Sequence, residues 1–277
     1  MGEAGTSSFT DPGGVRVYLY RWAPAGEVRG LVHLAHGMGE HARRYDRVAE
    51  HLAAAGYEVW ADDHRASGAT GAEGLGLGEL GPGGMPGAVE SLHAAITHVA
   101  ATGPDLPLYL VAHSWGSFMA QRIAERWGEE LAGLVLSGST LLAGDYLPGG
   151  DLNERFVPAA TPYDWLSRDP GEVRKYIQDP WCGFEVTFGA AELAHLAFPP
   201  ADTVPPGLPI LVINGTDDAV GGFNRGGEAL ADSYRELGLA DVTYRGYEGA
   251  RHELFNETNR HEVLADLVAW LDAHTPA

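Results

Sequence analysis

Leu108-Tyr109-Leu110-Val111-Ala112-His113-Ser114-Trp115-Gly116 is the stretch on which the fold turns. Its first five residues, LYLVA, are a continuous apolar run of strand length, suited to a strand covered on both faces. From Ser117 to Trp127 the residues Phe118, Ile123 and Ala124 recur at helical spacing. Between the two patterns lies a tight strand-to-helix turn with a serine at its apex. Ala112 and Gly116 flank Ser114 two residues away on either side, and a crowded turn of this kind needs small residues there. Alanine stands at the first of these positions, where glycine is more usual, and it is still small. A serine so placed is a candidate nucleophile, although the same position also suits an ordinary helix N-cap.

The pattern extends outward in both directions. Val15–Trp22 alternates like a strand after the turn Asp11-Pro12-Gly13-Gly14. Gly30–Ala35, Tyr57–Ala61, Leu134–Ser137, Pro209–Ile213 and Val242–Tyr247 are further strand runs. Helical spacing covers Tyr45–Ala55, with Gly56 as its stop, then 88–102, 227–237 and 262–274. The glycine-rich connection 68–87 is expected to be a loop. Strands alternating with helices predict an α/β fold, a mostly parallel sheet with helices on both faces. The alternation breaks over 144–206, so the expected organisation is a core of 1–143 and 207–277 interrupted by an insertion. That insertion holds nine of the 26 aromatic residues. A subdomain covering an apolar pocket explains the enrichment, and so does a helical insertion with its own small core.

Charge narrows the possible partners. The 277 residues carry 18 Lys plus Arg against 38 Asp plus Glu, a formal net charge of −20. Nucleic-acid binding needs cations to displace phosphate counterions, and adsorption to anionic lipid needs a basic face. Neither partner is expected. Lys175 is the sole lysine, and Cys182 is the sole cysteine, so no intramolecular disulfide forms. The opening MGEAGTSSFT has neither the basic nor the apolar part of a signal peptide, and no run is long enough to span a bilayer. The expected location is cytoplasmic.

A serine hydroxyl needs a base within hydrogen-bond reach, and the base needs a carboxylate to hold its tautomer. His252 follows the VTYRGY run, and Asp217 and Asp218 follow PILVI. The order Ser114, Asp217 or Asp218, then His252, each after a strand, is the order of one hydrolase fold. No metal or organic cofactor is expected. The histidines form no HExxH pattern, and His36 and His41 lie in a loop with no third ligand at a suggestive spacing.

The chain resembles the α/β-hydrolase superfamily, and within it the bacterial lysophospholipase and monoacylglycerol-lipase-like branch, from about Val15 to Leu271. The resemblance is carried by His36-Gly37-Met38-Gly39-Glu40-His41 with Arg44-Tyr45, and by Asp63-His64-Arg65 and His113 to Phe118. It continues through Tyr163 to Asp169, Asp179-Pro180-Trp181-Cys182-Gly183, Gly215 to Asp218, and Gly249 to Glu253. It implies Ser114 as nucleophile and His252 as general base, then acid. It selects Asp218 over Asp217 as the third member. It implies an oxyanion hole from the backbone N–H groups of Met38 and Trp115, and it makes 144–206 a lid that shapes the acyl pocket. The implied activity is serine-dependent hydrolysis of carboxylic esters through an acyl-enzyme. The implied substrates are monoacylglycerol, lysophospholipid-like or small acyl esters; the net charge of −20 adds the expectation of no stable membrane association.

Two departures matter. Methionine commonly follows the nucleophile in the lipase-like branch, and Trp115 stands there, so its indole is expected to narrow the pocket. Ser-Trp-Gly-Ser also resembles the nucleophile motif of proline iminopeptidases. A peptidase needs carboxylates to hold a substrate α-amino group; Asp145, Asp151, Glu154 and Glu172 are the candidates, but the favoured reading of each is an ordinary solvated surface charge. A non-hydrolytic acyltransferase or binding member of the fold would retain the same residues. Serine at position 114 argues against dehalogenases and epoxide hydrolases, which use aspartate there.

Overall fold

Eight strands form one sheet in a computed structural model that describes residues 4–146 and 149–276. The strands are β1 Gly5–Thr10, β2 Arg16–Trp22, β3 Gly30–Ala35, β4 Tyr57–Asp62, β5 Leu108–His113, β6 Gly133–Ser137, β7 Ile210–Gly215 and β8 Val242–Tyr247. Their order across the sheet is β1-β2-β4-β3-β5-β6-β7-β8. β1 and β2 pair antiparallel, β2 pairs antiparallel with β4, and every later pairing is parallel.

The helices are α1 Asp46–Ala54, α2 Gly68–Thr70, α3 Gly84–Ala100, α4 Trp115–Trp127, α5 Pro170–Gln178, α6 Ala190–Leu193, α7 Arg225–Glu236 and α8 Arg260–His274. Every residue of β3 through β7 is buried. Such strands have water on neither face, which is why they are mostly apolar rather than alternating; polar exceptions such as His33, Glu58, Asp62, His113 and Asn214 are buried as well. The period of two instead divides their side chains between two cores. Leu110 and Ala112 pack with Val89, Leu92 and Ile96 of α3, Met119 and Ile123 of α4, and Leu230 of α7. Tyr109 and Val111 point the other way, toward Val48 and Leu52 of α1 and Leu264, Leu267 and Leu271 of α8.

The structure departs from the sequence expectation at two places in the core. β1 (GTSSFT) is an additional strand, exposed at nearly every position. An edge strand in solvent has no face to bury, so it lacks the apolar pattern by which a strand is recognised. Helix α3 begins at Gly84 rather than near 88, and a short helical segment, α2 with 71–75 after it, interrupts the expected loop. Gly84 and Gly87 are poor helix formers. A carboxylate from far along the chain supports this end: Glu192 Oε2 accepts from Met85 N–H at 2.7 Å.

Among its described residues, the segment between β6 and β7 adds no strand to the sheet. It contains three short 3₁₀ turns, α5 and α6 among its described residues. Asp169 caps α5, accepting from Gly171 N–H at 2.9 Å, with Pro170 in the first turn.

Candidate active site

β5 to β8 are neighbours, so the loops after them lie side by side at one edge of the sheet. Strand spacing is about 4.8 Å, which brings residues remote in sequence within side-chain reach. Backbone hydrogen bonds join these loops one to the next. Ser114 N–H donates to Ser137 O at 2.9 Å, Gly138 N–H to Ile213 O at 3.0 Å, and Asp217 N–H to Ala250 O at 2.9 Å.

Ser114 has φ 51° and ψ −123°, a region that costs a non-glycine residue about 1–3 kcal/mol. The surrounding contacts impose it. A Cβ on Gly116 would lie 2.5 Å from the carbonyl oxygens of both Ala35 and His36, so only glycine allows α4 to start this close to β3. Ser114 occupies the N-cap position of α4, yet its side chain makes no capping hydrogen bond. The hydroxyl is not spent on the helix.

His252 Nδ1 lies 2.9 Å from Asp218 Oδ1, and both residues are buried. Asp218 also accepts from Val220 N–H at 2.9 Å through that same oxygen, while Asn214 Nδ2 reaches its Oδ2 at 3.3 Å. Asp217 is exposed and contributes its backbone. Burial disfavours the imidazolium of His252, but the Asp218 charge and hydrogen bond outweigh it and raise its pKa above the ordinary value. Burial opposes the Asp218 carboxylate too; the His252 charge and hydrogen bond prevail and hold it below the usual carboxylate range. With Nδ1–H committed to Asp218, the basic nitrogen of His252 is Nε2. The His252 ring packs between His113, at 4.6 Å between centroids, and Trp165 at 5.1 Å. Burial, together with the nearby His252, pushes His113 down to about 4, so this neighbour stays neutral.

The loop after β3 carries Met38. His36 Nε2 accepts from His64 N–H at 3.0 Å, so Nδ1 carries the proton and donates to Gly37 O at 2.8 Å. The carbonyl of Gly37 and the N–H of Met38 belong to one planar trans peptide and point in opposite directions. Holding the carbonyl therefore aims the Met38 N–H. Trp115 is the first residue of α4, where a helix N–H has no intrahelical acceptor.

A cluster absent from the sequence reading of roles ties this loop to the His252 loop. Arg44 Nη1 donates to Glu40 Oε2 and to Glu253 Oε1, each at 2.5 Å, and Nη2 donates to Glu253 Oε2 at 2.7 Å. Glu40 Oε1 also accepts from Gly37 N–H at 2.6 Å and from Tyr45 Oη at 2.9 Å. The opposite charges four residues apart, Glu40 and Arg44, were the visible signal. Asp63 of the Asp-His-Arg motif accepts from Ala42 N–H, Ala69 N–H and Tyr20 Oη at 2.7–2.9 Å, and so braces the same loop from beneath.

Ser114 faces a cavity of about 610 Å³. Met38, Trp115, Phe118 and Leu142 from the sheet side line it, opposed by Tyr163, Trp165, Tyr176 and Phe184 from the 144–206 segment. Trp115 is buried and stacks on Phe188 at 5.9 Å between ring centroids, so its indole takes up space at the wall. None of Asp145, Asp151, Glu154 and Glu172 lines this cavity. Glu172 instead pairs with Arg47 at 2.7 Å and Lys175 at 2.9 Å.

The family model for serine aminopeptidase S33 matches residues 26–259. A monoacylglycerol lipase of Mycolicibacterium smegmatis is 31% identical, over 96% of each chain. A thermostable carboxyl esterase from Bacillus coagulans, solved with glycerol, superposes with a TM-score of 0.89 at 28% identity, covering 99% of each chain. The monoacylglycerol lipase of Paleococcus ferrophilus superposes with a TM-score of 0.72 at 26% identity, covering 94% of this chain and 99% of that one. The chain belongs to the serine aminopeptidase S33 family, in the monoacylglycerol-lipase-like branch of the α/β-hydrolases, and is a serine ester hydrolase.

Proposed function

We propose that the chain hydrolyses neutral monoacyl esters such as monoacylglycerols, with Ser114 as nucleophile, His252 as general base and acid, and Asp218 as the residue that orients His252. The observation that carries the substrate class is the cavity at Ser114. Its walls are apolar and aromatic, and no Asp, Glu, Lys or Arg is among its lining residues. An acyl chain gains about 0.8 kcal/mol per buried methylene in such a space. A substrate α-amino group would find no carboxylate there, which favours esters over the peptides that the family description suggests.

The chemistry proceeds in two halves. Ser114 Oγ attacks the ester carbonyl as His252 Nε2 takes its proton. The N–H groups of Met38 and Trp115 receive the developing oxyanion, each donor being worth about 2.7–4 kcal/mol. The tetrahedral intermediate collapses, and the alcohol leaves with the proton from His252. Water then attacks the acyl-enzyme by the same route and returns Ser114 to its starting state. The 144–206 segment acts as the lid: its aromatic side chains supply one wall of the cavity. The net charge of −20 disfavours adsorption to anionic bilayers and binding to nucleic acid, so dispersed esters are the preferred substrates.

A serine-directed fluorophosphonate is expected to label the chain once, at Ser114, and Ser114→Ala is expected to abolish both labelling and ester turnover. Turnover of 1-monoacylglycerol and p-nitrophenyl acyl esters should far exceed that of a proline anilide. Turnover of the anilide alone would establish the peptidase reading instead. An acyl product that partitions mainly to an added alcohol rather than to water would mark a transferase.

A further inference from the structure

We propose that His41, Asp179 and Cys182 form a binding site for a divalent transition-metal ion, Zn²⁺ by its donor set. The site is separate from the ester-hydrolysing residues, and nothing in it depends on their assignment. In sequence His41 has no third ligand nearby, but the fold brings two residues of the 144–206 segment to it. One ligand atom from each of the three residues lies within 4.8 Å of the others. His41 Nε2 is 3.0 Å from Asp179 Oδ2.

The ligands are held from behind. Asp179 Oδ1 accepts from Trp181 N–H at 2.8 Å, so Oδ2, which meets His41 Nε2 at 3.0 Å, is the oxygen that would turn to the ion in exchange for that hydrogen bond. Asp179 N–H donates to Lys175 O at 3.1 Å at the end of α5, and Cys182 N–H donates to Asp179 O at 3.1 Å. The next residue, Gly183, donates its N–H to Gly39 O at 2.9 Å, so both backbones that present the ligands are joined directly. Trp181 meets the His41 ring edge-on at 5.6 Å. His41 is buried, and its Nδ1 has no hydrogen-bond partner among the described residues.

The chemistry balances. Zn²⁺ displaces the Cys182 thiol proton and forms a Zn–S bond, releasing one H⁺ to solvent. The thiolate and the Asp179 carboxylate then neutralise the ion's two charges, so the partly buried site carries no net charge. Coordination to the ion is what stabilises the thiolate. Arg44 lies close enough to oppose a cation, but Glu40 and Glu253 pair with it. Mixed N, O and S donors select Zn²⁺ over Mg²⁺ or Ca²⁺. Metal–ligand bonds of about 2.0–2.3 Å require the three atoms to close in from the present spread, which side-chain rotation supplies. A surface cavity of about 590 Å³ reaches His41 and Asp179; its cations Arg43, Arg47 and Lys175 are paired with Asp46 and Glu172, which tempers their repulsion of an entering ion. Bound there, the ion would lash the 179–183 stretch to the loop that carries Met38.

Co²⁺ titrated into the full chain at pH 7.5 reports on the site without any substitution. The expected result is a saturable 1:1 thiolate-to-cobalt charge-transfer band in the near ultraviolet, displaced by one equivalent of Zn²⁺. Competition with a chromophoric chelator should show Zn²⁺ binding at least tenfold weaker in Cys182→Ser, His41→Gln and Asp179→Asn. Absence of the charge-transfer band in the unsubstituted chain would overturn the site. Zn²⁺ affinity unchanged in Cys182→Ser would do the same, by placing the ion on other histidines.

Discussion

His252 Nδ1 and Asp218 Oδ1 lie 2.9 Å apart, in side chains exposed by 2% and 0%, while the adjacent Asp217 is exposed to solvent. The structure thus separates two neighbouring carboxylates by environment alone. Asp218→Asn keeps the shape but removes the charge that selects the His252 tautomer. It should lower kcat by about 10⁴-fold, with KM changed far less. Asp217→Asn should stay within a few-fold of the unsubstituted chain. Steady-state kinetics on one p-nitrophenyl ester checks both, and equal losses would refute the assignment of Asp218.

The pH dependence follows from the raised pKa of His252. As the proposed general base, His252 must be unprotonated to accept the Ser114 proton. A raised pKa keeps it protonated to higher pH, so activity is lost earlier on acidification. The acid limb of kcat/KM should therefore lie above the ordinary histidine value of 6.5. In Asp218→Asn the residual activity should show that limb at lower pH, because the favourable charge is gone while the burial remains. A limb that does not move would show that another group controls it.

Arg44 holds Glu40 and Glu253 together, with its side chain only 9% exposed. Arg44→Met leaves two buried carboxylates facing each other without a cation. Breaking a buried pair in this way costs roughly 3–5 kcal/mol, which urea unfolding should register as a lower midpoint. Activity should fall further than stability accounts for, since Glu40 also holds Gly37 N–H beside Met38. Measuring kcat well below the unfolding midpoint separates the two effects.

Trp115, proposed above as an oxyanion donor through its backbone, fills space with its indole. Trp115→Met keeps the N–H and removes the stack on Phe188. Longer acyl chains should gain relative to short ones, by up to about 0.8 kcal/mol for each additional methylene that becomes buried. The ratio of kcat/KM across p-nitrophenyl esters of graded length measures this. An unchanged ratio would mean that the indole does not bound the acyl site.

The strands and helices of the core were legible because backbone periodicity is local. The uniformly apolar run Leu108–Ala112 reflects burial on both faces, and the small residues around Ser114 reflect a crowded turn. The sheet edge β1 and the start of α3 were not legible. β1 buries nothing that would leave a pattern, and the glycine-rich first turn of α3 receives support from Glu192, 107 residues from Met85.

The sequence by itself determined the alternation of the central strands and helices and the strand-end positions of Ser114, the Asp217-Asp218 pair and His252, because hydrophobic period and turn chemistry act over a few residues; the resemblance, not the spacing, chose Asp218. Only the tertiary structure decided which side chains meet. Arg44 and Glu253 lie 209 residues apart, His41 and Asp179 lie 138 apart, and the aromatic wall of the cavity belongs to a segment with no regular pattern. Contacts of that kind arise from sheet order and close packing, which no local spacing encodes.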